Sequence, residues 1–295
     1  MTRRDAMDAR DPNPRTPLSL TRREALAALA AAGGYAVSAS PILAQAIKTD
    51  SQGLVEGTVR VAGADQTPIP VYEAYPAKEG DFPVVVVISE VWGLHEYIKD
   101  VTRRFAKEGY YAVAPELFSR EGNLAAETDM QKILNTVFNA PIERIVGDIR
   151  ATADYARKQP AARGDRIGVT GFCWGGGITL IVPAFYKDTS AAVSWYGSIK
   201  RAQKGEQKPV SAFDVAAQVP CPVLLLYGGA DQGIPLADVD AEEAALKAAG
   251  RTVEKHVYPG VGHAFFADYR PSYNADAAKD GWERCLAWFQ KYLKA

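Results

Sequence analysis

Cysteine is scarce in this 295-residue chain, and its three occurrences, Cys173, Cys221 and Cys285, lie too far apart for a zinc site or a disulfide framework. Histidine is equally scarce, with three residues in all. Net charge is nearly absent: 34 Lys and Arg against 35 Asp and Glu leave −1, too weak a field to gather nucleic acid or anionic lipid. Low-complexity tracts and internal repeats are missing, which sets aside solenoids and disordered chains. What is present, 47% hydrophobic and 23% charged residues with 25 Gly and 18 Pro, suits a globular protein with a full core and a small-molecule site.

Residues 1–46 differ from the rest. A charged stretch leads to Leu20-Thr21-Arg22-Arg23-Glu24, then to an Ala-rich apolar run from Ala25 to Ala39, then to the small-x-small triplet Ala44-Gln45-Ala46. That order is the order of an export signal cleaved before Ile47. The paired arginines resemble a bacterial twin-arginine signal, although Ala25 stands where Phe is more usual, so a periplasmic location is expected. The bland alternative is a helical extension kept in the cytoplasm. The apolar run is too short and too weakly hydrophobic to span a bilayer, so no stable membrane span is expected in the mature chain.

The remaining residues, 47–295, read as one α/β domain. Apolar, β-branched runs recur at Val84–Ser89, Tyr111–Ala114, Ile167–Gly171, Ala191–Tyr196, Val223–Tyr227 and Val253–Tyr258, as in strands covered on both faces. Helical patterns lie between them, for example Ile142, Ile145, Val146, Ile149, Ala153 and Ala156. The alternation predicts a mainly parallel twisted sheet with helices on both faces, opened by an antiparallel hairpin, Leu54–Val61 and Val71–Ala74.

The chemistry concentrates where strands end. Ile167–Gly171 runs into Gly171-Phe172-Cys173-Trp174-Gly175-Gly176-Gly177 and an apolar helical stretch, Ile178–Ala184. This is the G-x-nucleophile-x-G elbow of α/β-hydrolases with Cys in the nucleophile's place. A sharp strand-to-helix turn demands small flanking residues, and the helix N-terminus favours a thiolate. The alternative is a buried apolar thiol, which is how Cys221 and Cys285 are read. His263, in Gly262-His263-Ala264-Phe265 after the last strand, stands where the general base belongs, and Asp231, in Gly228-Gly229-Ala230-Asp231, stands where its orienting acid belongs. An Asp in a Gly-rich turn also forms turns without any catalytic duty. His256 alternates within a strand and reads as partly exposed; His95 is a weaker candidate for lining a pocket. Val91, in the loop after the first parallel strand, and Trp174 are expected to supply the backbone N–H groups of an oxyanion hole. Glu90 enters the same region, where a solvated loop carboxylate is an equal alternative.

Together Glu90-Val91-Trp92-Gly93, Ala114-Pro115-Glu116-Leu117-Phe118, Gly171-Phe172-Cys173-Trp174-Gly175-Gly176, Tyr196-Gly197, Gly228-Gly229-Ala230-Asp231 and Gly262-His263-Ala264-Phe265 resemble the dienelactone hydrolase family in order and spacing, over nearly all of residues 54–293. The resemblance implies an α/β-hydrolase fold, a Cys173-His263-Asp231 triad acting on lactones or activated esters, and no cofactor or metal. It gives Glu90 the task of helping to generate the thiolate. It also implies two arginines that hold a substrate carboxylate. Arg120 matches the first by position; the second would sit at Ala267, with Arg270 three residues on, where an exposed loop arginine is the plainer reading. Trp92 and Tyr196 join Arg120 as expected substrate-binding residues in an apolar, partly aromatic pocket. The expected partner is a small lactone or ester, acting on a monomer or small homo-oligomer. Two other readings stand beside this one: a catalytically silent α/β-hydrolase fold that binds a ligand or partner, and a redox thiol, for which no resolving cysteine is near.

Overall fold

The computed structural model describes residues 47–294. The export-signal reading falls on residues 1–46, outside the described residues. The chain opens with the expected antiparallel hairpin, β1 (Leu54–Ala62) and β2 (Pro68–Pro76), closed by a turn in which the Gly63 N–H donates to the Thr67 carbonyl at 2.9 Å. There follow β3 (Phe82–Ile88), α1 (Glu96–Lys107), β4 (Tyr111–Pro115), α2 (Met130–Asn139), α3 (Ile142–Ala156), β5 (Ala162–Phe172), α4 (Trp174–Phe185), β6 (Thr189–Trp195), the short α5 (Ala212–Val215), β7 (Val223–Gly228), α6 (Leu236–Ala248), β8 (Val253–Tyr258) and α7 (Ala275–Leu293).

Among the described residues these strands form an eight-stranded sheet in the order β1-β2-β4-β3-β5-β6-β7-β8. β2 pairs antiparallel with β1 and β4, and every other neighbouring pair is parallel. Every residue of β3, β4 and β7 is buried, as strands sheathed on both faces require. The two faces can be read from β5. A Cβ placed on Gly168 would meet Leu293 and Phe289 of α7, whereas one on Gly171 would meet Gly175 and Thr179 of α4. Residues three apart on a strand point to opposite faces, so α7 and α4 cover opposite sides. The stripe foreseen on α3 is the buried one: Ile142, Ile145, Val146, Ile149, Ala153 and Ala156 all face inward.

The strands differ from the sequence expectation at both ends: β2 and β5 begin at Pro68 and Ala162, ahead of the expected Val71 and Ile167, and two expected runs overshoot at the carboxyl end. Ser89 lies beyond β3 and Tyr196 beyond β6, with Tyr196 at φ 40°. These two residues are apolar or small enough to continue a strand pattern, but the backbone has already left the ladder to form the loops that hold the site. Among the described residues no helix is long and apolar enough to cross a membrane.

Candidate active site

Cys173 sits alone between the last residue of β5 and the first of α4, with φ 58° and ψ −116°. A non-glycine residue with positive φ is strained, and the packing around it explains why the backbone has no other course. A Cβ on Gly171 would stand 2.4 Å from the Gly175 carbonyl oxygen, and one on Gly175 would stand 2.3 Å from that of Ser89. The start of α4 is thus pressed against the end of β3, and only glycine fits at the two contact points. The Cys173 N–H donates to the Trp195 carbonyl at 3.0 Å, fixing the elbow to β6.

Two loops bring partners to this thiol. Asp231 follows β7; its Oδ1 accepts from the Gly233 and Ile234 N–H groups at 2.8 and 3.2 Å, while its Oδ2 lies 2.6 Å from His263 Nδ1. The turn-forming and imidazole-orienting readings of this carboxylate therefore both hold, one oxygen serving each. His263, in the loop after β8, also interacts electrostatically with Cys173. Burial by itself would lower the pKa of this imidazole, but the adjacent Cys173 sulfur and Asp231 carboxylate outweigh it and push the value up to about 10. Such a ring is an imidazolium at neutral pH. Cys173 is fully buried and the His263 side chain is 14% exposed.

Among the described residues neither the Val91 nor the Trp174 N–H has an acceptor. For Trp174 this follows from its place as the first residue of a helix, where the amide has no intrahelical partner. Its indole is fixed, with Nε1 donating to Gln203 Oε1 at 3.0 Å and the ring 5.1 Å from that of Phe118.

The sequence pattern of the dienelactone hydrolase family matches residues 69–293. A Methylorubrum extorquens protein named "Putative carboxymethylenebutenolidase" is 45% identical over 276 residues, 93% of this chain and 94% of that one. An Escherichia coli protein of the same name is 40% identical over 263 residues, 88% of this chain and 95% of its own. The crystal structure titled "Putative Dienelactone Hydrolase" from Klebsiella pneumoniae superposes with a TM-score of 0.76 at 38% identity, covering 81% of this chain and 99% of that one. The chain belongs to the dienelactone hydrolase family. It therefore has the α/β-hydrolase fold and is a hydrolase of the lactone and ester class.

Against that family background, the remaining expected residues divide sharply. Arg120 is engaged by carboxylates of the protein itself. Its guanidinium is taken up by Asp65, at 2.9 and 2.6 Å, and by Asp148, at 2.7 and 3.1 Å, where it ties the β1–β2 turn to α3. Asp148 is fully buried, and a buried carboxylate is costly unless a cation lies beside it. Arg270, expected as an exposed loop residue, is instead buried. Its guanidinium lies 4.4 Å from the Trp92 ring centroid, its Nη2 is 3.9 Å from Glu90 Oε1, and its Nε is 3.4 Å from the Tyr269 hydroxyl. Burial disfavours the guanidinium charge, but Glu90, Tyr269 and Cys173 around it hold its pKa above the usual arginine value.

Glu90 is fully buried, so the solvated-loop alternative fails. Its Oε2 accepts a hydrogen bond from the Tyr269 hydroxyl, and Oε1 has no hydrogen-bond partner among the described residues. His95 lies with its Nε2 3.9 Å from the same carboxylate, and burial lowers its pKa to about 4, leaving it neutral. Tyr196 packs its ring edge against His263, centroids 5.2 Å apart, with its hydroxyl unpartnered among the described residues. Tyr269 carried no signal in the sequence beyond its place in an aromatic loop. Cys221 and Cys285 pack as expected, burial raising the first thiol's pKa to about 12 and the second's well above the ordinary value.

Proposed function

We propose that this chain hydrolyses carboxylate-bearing lactones and small activated esters through a thioester on Cys173. The observation that carries the reading is His263 with its Nδ1 2.6 Å from Asp231 Oδ2 and its imidazole in electrostatic interaction with Cys173 at the elbow. The sulfur, as thiolate beside the imidazolium, attacks the carbonyl carbon, and the carbonyl π pair moves to oxygen between the Val91 and Trp174 N–H groups. The acyl C–O bond breaks, His263 protonates the leaving oxygen, and a thioester remains. Acylation removes the sulfur's negative charge, one of the two influences that raise the imidazole's pKa. The ring, having given up its proton, then stays neutral long enough to take one from water, whose oxygen displaces the sulfur and releases the acid.

Arg270, with Trp92 beneath it, supplies the positive charge for a substrate carboxylate, the role the sequence assigned to Arg120. This accords with the name of the Methylorubrum relative, which denotes a lactone bearing a carboxymethylene group. Glu90, beside Arg270, is released from part of that attraction when a substrate carboxylate arrives, and its charge then helps to hold on His263 the proton that the sulfur has given up. The buried sulfur implies that the loop carrying His263 and Arg270 yields as substrate enters.

The test is turnover of a panel of unsaturated lactones and aryl esters by a chain starting at Ile47. Cys173→Ala should lower kcat/KM by on the order of 10⁴-fold or more with the fold retained by circular dichroism, and mass spectrometry of quenched wild type should show an acyl adduct on the Cys173 peptide. Wild-type rates in Cys173→Ala, or no adduct with any substrate, would overturn the mechanism. The leader reading extends the proposal to export by the twin-arginine route; activity confined to the cytoplasmic fraction, and retained there after Arg22 and Arg23 are both changed to Lys, would overturn it.

A further inference from the structure

We infer that Glu116 is a positioning residue that sets both halves of the oxyanion cradle, an inference that rests on the hydrolase reading above. Glu116 follows β4, one strand away from the elbow, and its backbone N–H is fixed to the Pro70 carbonyl at 2.8 Å. Its carboxylate is turned inward and bridges two loops. Oε2 accepts from the Leu94 N–H at 2.7 Å, in the segment that carries Val91, and Oε1 accepts from the Phe118 N–H at 3.1 Å. Phe118 is the ring packed 5.1 Å from Trp174.

The Val91 loop is wrapped around this carboxylate. Gly93 has φ +72°, and a Cβ there would stand 2.6 Å from Glu116 Oε1, so both the conformation and the lack of a side chain serve the contact. The Gly93 N–H donates to the Glu90 carbonyl at 3.3 Å, which closes the turn containing Val91. One partly buried carboxylate thus fixes, through Leu94 and Gly93, the turn that presents the Val91 N–H, and through Phe118 the wall against which Trp174 rests. A glutamine at this position would offer one acceptor oxygen and one donor group, so one of the two backbone N–H groups would face a donor instead of an acceptor. Oxyanion donors act only when aimed at the charge that develops, and removal of one such donor costs ~10²–10³-fold in rate.

The experiment separates oxyanion stabilisation from the general state of the site. Iodoacetamide alkylates Cys173 by displacing iodide from carbon, a step with no oxyanion. Phenylacetaldehyde instead takes the sulfur at its carbonyl carbon and places a tetrahedral oxyanion in the cradle, which protects Cys173 from alkylation. Both are read by mass spectrometry of the Cys173 peptide, without turnover. In Glu116→Gln the aldehyde concentration giving half protection should rise tenfold or more while the alkylation rate without aldehyde stays within twofold, and ester turnover should fall in kcat with KM held. Glu116→Asp, which keeps the charge but withdraws it by one methylene, should fall between; it also reads the same ratio if Glu116→Gln fails to fold. Unchanged protection, alkylation slowed as much as protection is weakened, or a wild type that the aldehyde does not protect would each overturn the inference. A wild type that is protected but hydrolyses nothing on the panel would instead defeat the hydrolase reading and leave the positioning result to be judged by protection alone.

Discussion

Two polar clusters lie near the carboxyl ends of the strands, and they are built on opposite principles. At the β1–β2 corner, Arg120 meets Asp65 and Asp148, and Asp148 Oδ1 also accepts from the Ala64 N–H at 2.8 Å, so charges and hydrogen bonds are satisfied within the protein. Around Cys173, by contrast, Ser89 Oγ, Glu90 Oε1, both nitrogens of His95, the Tyr196 hydroxyl and Arg270 Nη2 have no hydrogen-bond partner among the described residues. Buried polar atoms are nearly always paired, and leaving one unpaired costs ~1–3 kcal/mol. The first cluster closes on itself and the second does not, although both contain arginine and carboxylate.

The comparison can be broken by substitutions in each cluster. The largest effect is expected from Asp231→Asn, which leaves Gly233 and Ile234 an acceptor but offers His263 Nδ1 the wrong tautomer; kcat should fall by about 10⁴-fold with little change in melting temperature. Next, Arg270→Ala should raise KM for carboxylate-bearing lactones by roughly 10²-fold, as when one member of a buried charge pair is removed, and affect neutral esters far less. Arg120→Ala should do the reverse, costing about 3 kcal/mol of stability by stranding Asp148 while leaving the preference between charged and neutral substrates unchanged. If Arg120→Ala alters that preference and Arg270→Ala does not, the division of the two clusters is wrong. The smallest effect concerns pH. His263 has a folded pKa of about 10, above its ordinary value of 6.5, so its contribution to stability is complete below pH 6.5 and is lost as pH rises through 10. The stability gap between wild type and His263→Gln, measured by urea unfolding, should narrow over that window; a gap that widens would reverse the charge assignment.

The elbow was legible because its residue types are dictated locally. A sharp turn at Cys173 excludes side chains at Gly171 and Gly175, and that exclusion is written in the sequence whatever the rest of the chain does. Asp231 and His263 were legible for a related reason: each follows an apolar run that ends abruptly. The arginines were not. Arg120 and Arg270 each lie a few residues beyond a recognisable motif, and spacing alone favoured Arg120. Nothing in the local pattern reveals that Asp65 and Asp148, which stand 55 and 28 residues away, take the Arg120 guanidinium, or that the loop after His263 folds inward to set Arg270 over Trp92.

By itself the sequence determined the sheet with helices on both faces, the hairpin that opens it, and the order of thiol, acid and imidazole, because hydrophobic periodicity and steric exclusion act between near neighbours. Only the tertiary structure decided which arginine faces Glu90, that Tyr269 and neutral His95 enclose that carboxylate, and that Glu116 clasps the Val91 loop. Those outcomes depend on how buried charges from distant segments neutralise one another, a competition settled only when the segments meet.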